Sequence, residues 1–573
     1  MAFARSVQDT RPMRPTGRSH IRMRTAPDPP IPPANSPFQD AAFFAVDSAR
    51  TAAEQSATFP QSVASGDPQP HGIVLWCRVD PTRQGGENPS LVAWQISRDA
   101  TFAPGTIVTA GTASLEAARD HTVKLPIEHA ALASYTGYFY RFVYNGIASR
   151  TGHFKTLPAA DAEVSRITLG LVVCQDFGAG YYTALAHLAG EQVDYVLHLG
   201  DYIYETISSS EFQNNPARRV PPFPSGSTTI PVDVGDYRHL YQVYRGDPHQ
   251  QAMHERFAYI QLWDDHEFAN DCHQDFHPDA NAAPSTAATP QPALRQAANQ
   301  AWSEYGLAAV TFDPAKGWEE SIQVYRKLAF GRLADLVITD ERLYRDGPPC
   351  GANEYGERYF TLGCEALHDP ARTMLGTVQR AWFLEQVTGS GATWKLWANE
   401  VMLMQLKATA LYVNLDQWDG YPKERQHLLQ TIGDAGVQNL VALTGDLHTF
   451  LAGYLKSNFD NPFGHAVGVE LMVGSLTSAN FEEEIRSEVH LPGAPVPAKG
   501  FHIPHDLLSP LIRTLNPHIK FWDSSTHGYA LLAITPDELR CEFKAVSTIR
   551  EPIAELRPLK TLRIPSGKAE LLD

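Results

Sequence analysis

Ile167-Thr-Leu-Gly-Leu-Val-Val-Cys174-Gln175-Asp176 and, one helix later, Asp194-Tyr-Val-Leu-His-Leu-Gly200-Asp201-Tyr202-Ile203-Tyr204 are the stretches that decide the fold. The apolar run from Ile167 is too short for a typical helix and is bounded by Ser165 and a Gly-containing loop, so it reads as a strand buried on both faces. Residues 194–199 form a second such run, and residues 181–190 between them carry a helical pattern; together they make a βαβ unit. Open α/β sheets bind ligands outside the carboxyl ends of their strands. Cys174, Asp201 and Tyr204 are therefore expected to face one crevice.

The same grammar continues toward the carboxyl terminus. Residues 258–263 run into Asp264-Asp265-His266-Glu267, 333–339 into Asp340-Glu341-Arg342, 394–398 into Asn399, and 438–444 into Gly445-Asp446-Leu447-His448. Helical patterns at 377–387 and 422–432 lie between. Polar groups thus collect at strand ends. Two Pro-, Ser- and Ala-rich insertions, about 207–236 and 276–297, are placed to form a rim or lid. Ahead of this region, residues 59–158 alternate apolar and polar in short runs split by Gly, Pro, Asn and Asp, which predicts an antiparallel β-sandwich of immunoglobulin or fibronectin type with about seven strands. Residues 157–165 serve as the linker. Residues 1–58, Arg- and Pro-rich without a hydrophobic period, read as a disordered tail. The expected architecture is an α/β (α+β sandwich) domain over 159–573 preceded by that sandwich.

At 573 residues with 43% hydrophobic content the chain has ample material for a core, and no run approaches 18 uninterrupted apolar residues, so no transmembrane segment is expected. A net charge of −17 argues against a nucleic-acid-binding surface. The six cysteines form no C-x-x-C pair, which disfavours finger-type zinc. Cys350 and Cys364 either form a disulfide or remain as two loop thiols. Oligomeric state is not readable.

The candidate donors are one thiol (Cys174), one phenol (Tyr204), carboxylates (Asp201, Asp265, Asp446), an amide (Asn399) and imidazoles (His266, His448). Thiolate and phenolate suit trivalent iron, whereas carboxylate and amide oxygens suit a hard divalent ion. Two such ions side by side can clamp an in-line displacement at phosphorus. Arg256, Arg342 and Arg380 are candidate phosphate clamps, with surface or ion-pair roles preferred, and His527-Gly528-Tyr529 and Trp418-Asp419-Gly420-Tyr421 either line the rim or form structural turns.

Gly200-Asp201-x-x-Tyr204, Asp265-His266-Glu267 and Gly445-Asp446-x-His448 resemble the calcineurin-type metallophosphatase blocks. With Cys174, WDDHE, DQWDGYPKER, LTGDLH and SVASGDPQPHGIVLWCRV, the chain is similar to the PhoD-type alkaline phosphatase family over about residues 59–545. That resemblance implies a metallophosphatase catalytic domain with Fe(III) held by Cys174, Asp201, Tyr204 and His448. It implies Ca(II) held by Asp201, Asp265 and Asp446, with Asn399 as a further ligand and Asn270 or Asp264 near a second calcium. It also implies a catalytic His266 that donates a proton or orients the phosphate, and hydroxide generated at the metals as nucleophile. The substrates implied are small-molecule phosphomonoesters, and phospholipid or polymer phosphodiesters. An exported address follows from the resemblance alone, since the amino-terminal stretch shows no apolar secretory core. The alternatives are a phosphodiesterase or phospholipase-D-like enzyme, and a non-catalytic metal-stabilised binding protein. A zinc protease is excluded because H-E-x-x-H would need a second His where Asn270 stands.

Overall fold

Two sheets packed face to face carry the strands read from the sequence. The computed structural model describes residues 44–83, 90–208, 212–278, 289–350, 359–461, 463–488 and 504–573. In the first sheet Ile167–Val172, Tyr195–His198 and Ala258–Gln261 run parallel, as the βαβ reading predicts, with Thr183–Leu188 as the crossover helix. The antiparallel strands His527–Ile534, Glu538–Val546 and Leu556–Pro565 extend it on one side. In the second sheet Ala334–Ile338, Trp394–Ala398, Leu440–Thr444 and Gly468–Met472 are parallel, and Arg326–Phe330, Phe450–Leu455 and Ile519–Asp523 complete its seven strands. Helices Gly376–Thr388 and Pro422–Asp434 fall where the 3.6-residue pattern placed them; the second starts with Pro at a first-turn position, where its missing N–H costs nothing.

Leu169, Leu171, Val196 and Ile260 of the first sheet and Leu396, Val441, Leu443 and Leu471 of the second share one buried cluster, which is why these strands read as continuous apolar runs. Aromatic pairs cross the interface: Tyr195 with Phe330 (centroids 5.6 Å apart) and Phe450 with Phe543 (5.3 Å). The Trp394 indole donates to the Thr535 carbonyl at 2.7 Å.

The amino-terminal segment is antiparallel β, but its two layers are not self-contained. Leu91–Ser97, Ile107–Ser114, Gly137–Tyr144, Ile147–Ala148 and Gly152–Lys155 form a separate sheet. Val63–Gln69 instead pairs in parallel with Ala258–Gln261, and Gly72–Arg78 and Thr122–Glu128 follow it, making the first sheet nine-stranded. The segment thereby covers what would be an open strand edge. Residues 43–573 accordingly form one compact unit. Asp67 ends the join: it is 1% exposed and takes both Arg326 Nε and Nη2 at 2.7 Å, with the Ala309 N–H at 2.7 Å.

One expectation changes in part, and one alternative is settled. Residues 1–43 of the tail lie outside the described residues, but Ala52–Thr58 is a helix, closed by a Thr51/Glu54 capping box and anchored by buried Thr58. Of the insertions, 209–211 and 279–288 lie outside the described residues; the first is pinned by buried Arg218 on Asp247 at 2.6 Å, and the second ends in helix Pro292–Tyr305. Cys350 and Cys364 are disulfide-bonded, and the other four cysteines are buried thiols. Among the described residues no helix is long and apolar enough to cross a membrane.

Removing Arg326 would leave Asp67 charged, buried and unpaired, a loss of about 3–5 kcal/mol. Arg326→Ala should therefore lower the melting temperature in a scanning calorimeter while residues 44–158 and the rest still unfold in one transition. A separate early transition would instead mark the amino-terminal segment as an independent domain.

Candidate metal centre

The strand ends of both sheets stop in sharp turns that fold their side chains over one spot. Cys174, Asp201, Asp446 and His448 all have left-handed backbone, with φ of 53°, 56°, 63° and 51°. Each such residue costs on the order of 1 kcal/mol and persists only where its surroundings over-determine it. Gly200, at φ 105°, lies so close to the neighbouring loop that a Cβ there would sit 2.5 Å from Asp264 Cβ. Glu267 fastens the two loops together. Its Oε2 accepts the N–H groups of Asp201 (3.1 Å) and Asp264 (2.8 Å), and its Oε1 that of Tyr202 (2.8 Å).

Within this frame the donor atoms of Cys174, Asp201 and His448 all lie within 4.8 Å of one another. The Tyr204 hydroxyl joins them, 3.0 Å from Asp201 Oδ2 and 3.2 Å from His448 Nε2. On the other side of His448, Nδ1 meets Glu484 Oε1 at 2.8 Å and the Ala479 carbonyl at 2.5 Å, which turns Nε2 toward the cluster. Beside this mixed group lie carboxylate groups of the same span: Asp264, Asp265 and Asp446; Asp265, Asp271 and Asp416; and Asp201 with Asp265 and His266. His266 packs against Tyr204, with ring centroids 4.0 Å apart and the rings tilted by 31°, and its Nδ1 lies 2.6 Å from Glu205 Oε2.

Arg342 stands among the carboxylates rather than at the rim. It is 0% exposed, and its Nε pairs with Asp264, Nη1 with Asp416 at 2.6 Å and Nη2 with Asp446 at 2.6 Å, with Asp265 3.6 Å away. The ion-pair reading of this residue is the one realised. Arg380 likewise pairs with Glu424 at 3.2 Å, and Arg256 is exposed beside Phe257. Asn399 is engaged internally, accepting from Trp418 Nε1 at 2.9 Å and donating to the Val401 carbonyl.

The electrostatics follow from packing acids in a dry place. Burial, reinforced by Asp201, Asp264 and Asp446, holds the Cys174 thiol well above its ordinary range. Burial and the Asp201 and Cys174 charges do the same to Tyr204. Burial, with Asp265 and Asp446 nearby, pushes Asp201 up to about 7 against the opposing pull of His266 and His448. Burial also raises Asp264, although Arg342 opposes it, and its Oδ2 has no hydrogen-bond partner. Burial alone would lower His448, but Glu484 outweighs it and brings the imidazole to about 9. His266 is likewise held well above its usual value, burial being outweighed by Glu205, Asp265 and Asp201. The acids outnumber the guanidiniums of Arg342 and Arg345 that neutralise them. A thiol, a phenol and an imidazole beside carboxylate oxygens are a donor set for one softer and one harder cation, and the residues fit such a pair.

The profile of the PhoD-like phosphatases matches residues 169–543, and that of the PhoD-like phosphatase amino-terminal domain matches 45–158. The chain belongs to the PhoD-like phosphatase family. It is 30% identical over 508 residues to alkaline phosphatase D of Bacillus subtilis, covering 87% of this chain and 79% of that protein. A solved structure described as that of PhoD superposes with a TM-score of 0.75 at 27% identity, over 90% of this chain and 92% of that one. The chain is thus a phosphoester hydrolase.

Of the groups that hold the strand-end donors, Arg342 is a candidate ion-pair residue in the sequence, whereas Glu205, Asp416 and Glu484 are not singled out there. Glu205 directly follows Tyr204 in the quoted motif and Asp416 opens DQWDGY, so both were within sight. Glu484 reaches His448 from helix Phe481–Glu488, 36 residues away, and has no local signal.

A raised folded-state pKa means the proton-bound form is the stable one. With ions chelated away, Asp201 therefore contributes stability below its unfolded pKa near 4, and loses it as pH rises through about 7. Chelated protein should melt at progressively lower temperature from pH 5 to 8, and added calcium should restore stability most at pH 8, where protons no longer compete. A chelated protein whose melting is flat over that range would contradict the crowded-acid description.

Proposed function

We propose that this chain is an alkaline phosphatase that hydrolyses phosphomonoesters, and phosphodiesters to a lesser extent, at a mixed Fe(III)/Ca(II) centre. The observation that carries the reading is the meeting of Cys174, Asp201, Tyr204 and His448 in one buried group that shares Asp201 with the adjoining carboxylates. Cys174, Tyr204 and His448 would hold trivalent iron with Asp201, and Asp201, Asp265 and Asp446 would hold calcium. Asn399 is left out because its amide is tied to Trp418 and Val401. When bound, such ions polarise phosphoryl oxygens and lower the pKa of water.

The chain's own residues supply the rest. His266 carries a proton at the edge of the group and gives it to the departing ester oxygen. Arg342 keeps Asp264, Asp265, Asp416 and Asp446 at fixed spacing, so that the carboxylates do not splay apart. Deprotonation of Asp201 near pH 7 favours cation binding on the alkaline side. Residues 59–158 act as a buttress for the catalytic region 159–573, closing the edge beside Ala258–Gln261. The Cys350–Cys364 disulfide supports an exported, oxidising location.

The test is elemental analysis of the purified protein beside its visible spectrum and its turnover of a nitrophenyl monoester and a bis-nitrophenyl diester, with and without chelator. Near-stoichiometric iron, calcium-dependent turnover and a visible band lost in Tyr204→Phe are expected. Zinc alone, or full activity after metal removal, would overturn the mixed-metal reading.

Glu484→Gln removes the charge behind His448. Iron affinity should fall about 10–100-fold in a chelator competition, the usual cost of losing a carboxylate behind a metal-binding histidine. Unchanged affinity would show that the Ala479 carbonyl alone orients the ring.

A further inference from the structure

Glu205 lies one residue beyond Tyr204 and is 0% exposed. Its two oxygens are fixed separately: Oε1 accepts the Asn270 N–H at 2.9 Å, and Oε2 lies 2.6 Å from His266 Nδ1. The imidazole also packs against the Tyr204 ring, tilted 31° from parallel to it. A ring flip would break the Glu205 contact at Nδ1. Nε2, on the far side of the ring from Glu205, is the nitrogen left over, and the His266 side chain keeps 16% of its surface open. The carboxylate therefore decides which nitrogen the histidine offers.

We propose that Glu205 is the positioning residue of the general acid: it binds Nδ1–H of His266 and so presents Nε2–H to the leaving oxygen of a phosphomonoester with an aliphatic alcohol. This rests on the phosphomonoesterase reading above. In the step, water oxygen bonds to phosphorus while the ester P–O bond breaks, and the leaving oxygen keeps that electron pair and takes the proton from Nε2. Alcohol and inorganic phosphate result. His266, then neutral, retains Nδ1–H on Glu205, and Nε2 regains a proton from solvent, balancing the one that water releases.

An alkoxide is far more basic than a nitrophenolate, so only the former needs that proton in order to leave. The experiment measures kcat and KM of the metal-loaded protein and of Glu205→Gln on a simple alkyl phosphate and on 4-nitrophenyl phosphate, together with iron and calcium content. For Glu205→Gln, kcat on the alkyl ester should fall about 100-fold or more, within the usual range for lost general-acid catalysis, and on the nitrophenyl ester about tenfold or less. KM and metal content should hold. Glu205→Asp should recover part of the alkyl-ester rate. His266→Gln should reproduce the same split, and the double variant should be no worse than His266→Gln, because the two residues act as a unit.

Equal losses on both esters would make Glu205 merely structural and overturn the inference, as would an undiminished alkyl-ester rate. Loss of metal from Glu205→Gln or His266→Gln would also overturn it, by placing His266 among the ligands with Asp201 and Asp265, whose atoms lie within 4.8 Å of it. If the unaltered protein hydrolyses neither ester, the phosphomonoesterase reading itself falls and takes this inference with it.

Discussion

Negative charge gathered where water is scarce is the constraint that the rest of the structure answers. Asp201, Asp264, Asp265 and Asp416 are buried and Asp446 half-buried, in overlapping groups whose donor atoms lie within 4.8 Å of one another, a gathering that like-charge repulsion and desolvation both oppose. Arg342 reaches four of the five, and Arg345 takes a second oxygen of Asp416 at 2.6 Å. What these guanidiniums do not neutralise must carry protons or bound cations. A chain that kept this cluster solely for stability would gain by replacing it with apolar side chains, so its retention points to the chemistry rather than to the fold.

Holding such a cluster requires a frame stiffer than surface loops provide. Two sheets share one core, and each sends parallel strands to the same edge, so the donors rest on strand ends instead of loop tips. The left-handed turns at Cys174, Asp201, Asp446 and His448 store strain, and Glu267 offsets part of it with three backbone N–H groups from two loops. Burial and Asp201 push Glu267 up to about 8, while those three donors favour its anion. These N–H groups lie beyond the ends of their strands, where a glutamate can accept them and an apolar residue could not.

Much of this was legible because strands buried on both faces announce themselves as short apolar runs, and the first polar residues beyond each run are the ones placed at the edge. Residues 167–172, 195–198, 258–261, 334–338, 394–398 and 440–444 all obey that rule. What a period-2 alternation cannot encode is which sheet a strand joins. Val63–Gln69 therefore read as part of a self-contained sandwich, although its parallel partner lies nearly two hundred residues onward. The holding groups were harder still. Arg342 stands in a plain strand-end sequence, and only its four partners, drawn from three other segments, distinguish it from a surface arginine. Asn399 shows the converse: its position fits the pattern, but its amide is already bonded to Trp418 and Val401.

The two histidines of the centre share one device. Each has Nδ1 against a glutamate, Glu484 for His448 and Glu205 for His266, so each offers Nε2. Their surroundings differ. His448 Nε2 faces the Tyr204 hydroxyl inside the group containing Cys174 and Asp201, with a side chain 9% exposed, and a cation there would find anionic donors on several sides. His266 packs against the same phenol ring beside Asp201 and Asp265, and its side chain is 16% exposed, open to proton exchange with solvent. Tyr204 is thus the partition between them: its oxygen points to one imidazole and its ring covers the other. A carboxylate behind an imidazole fixes orientation without fixing role; the role is set by what stands in front.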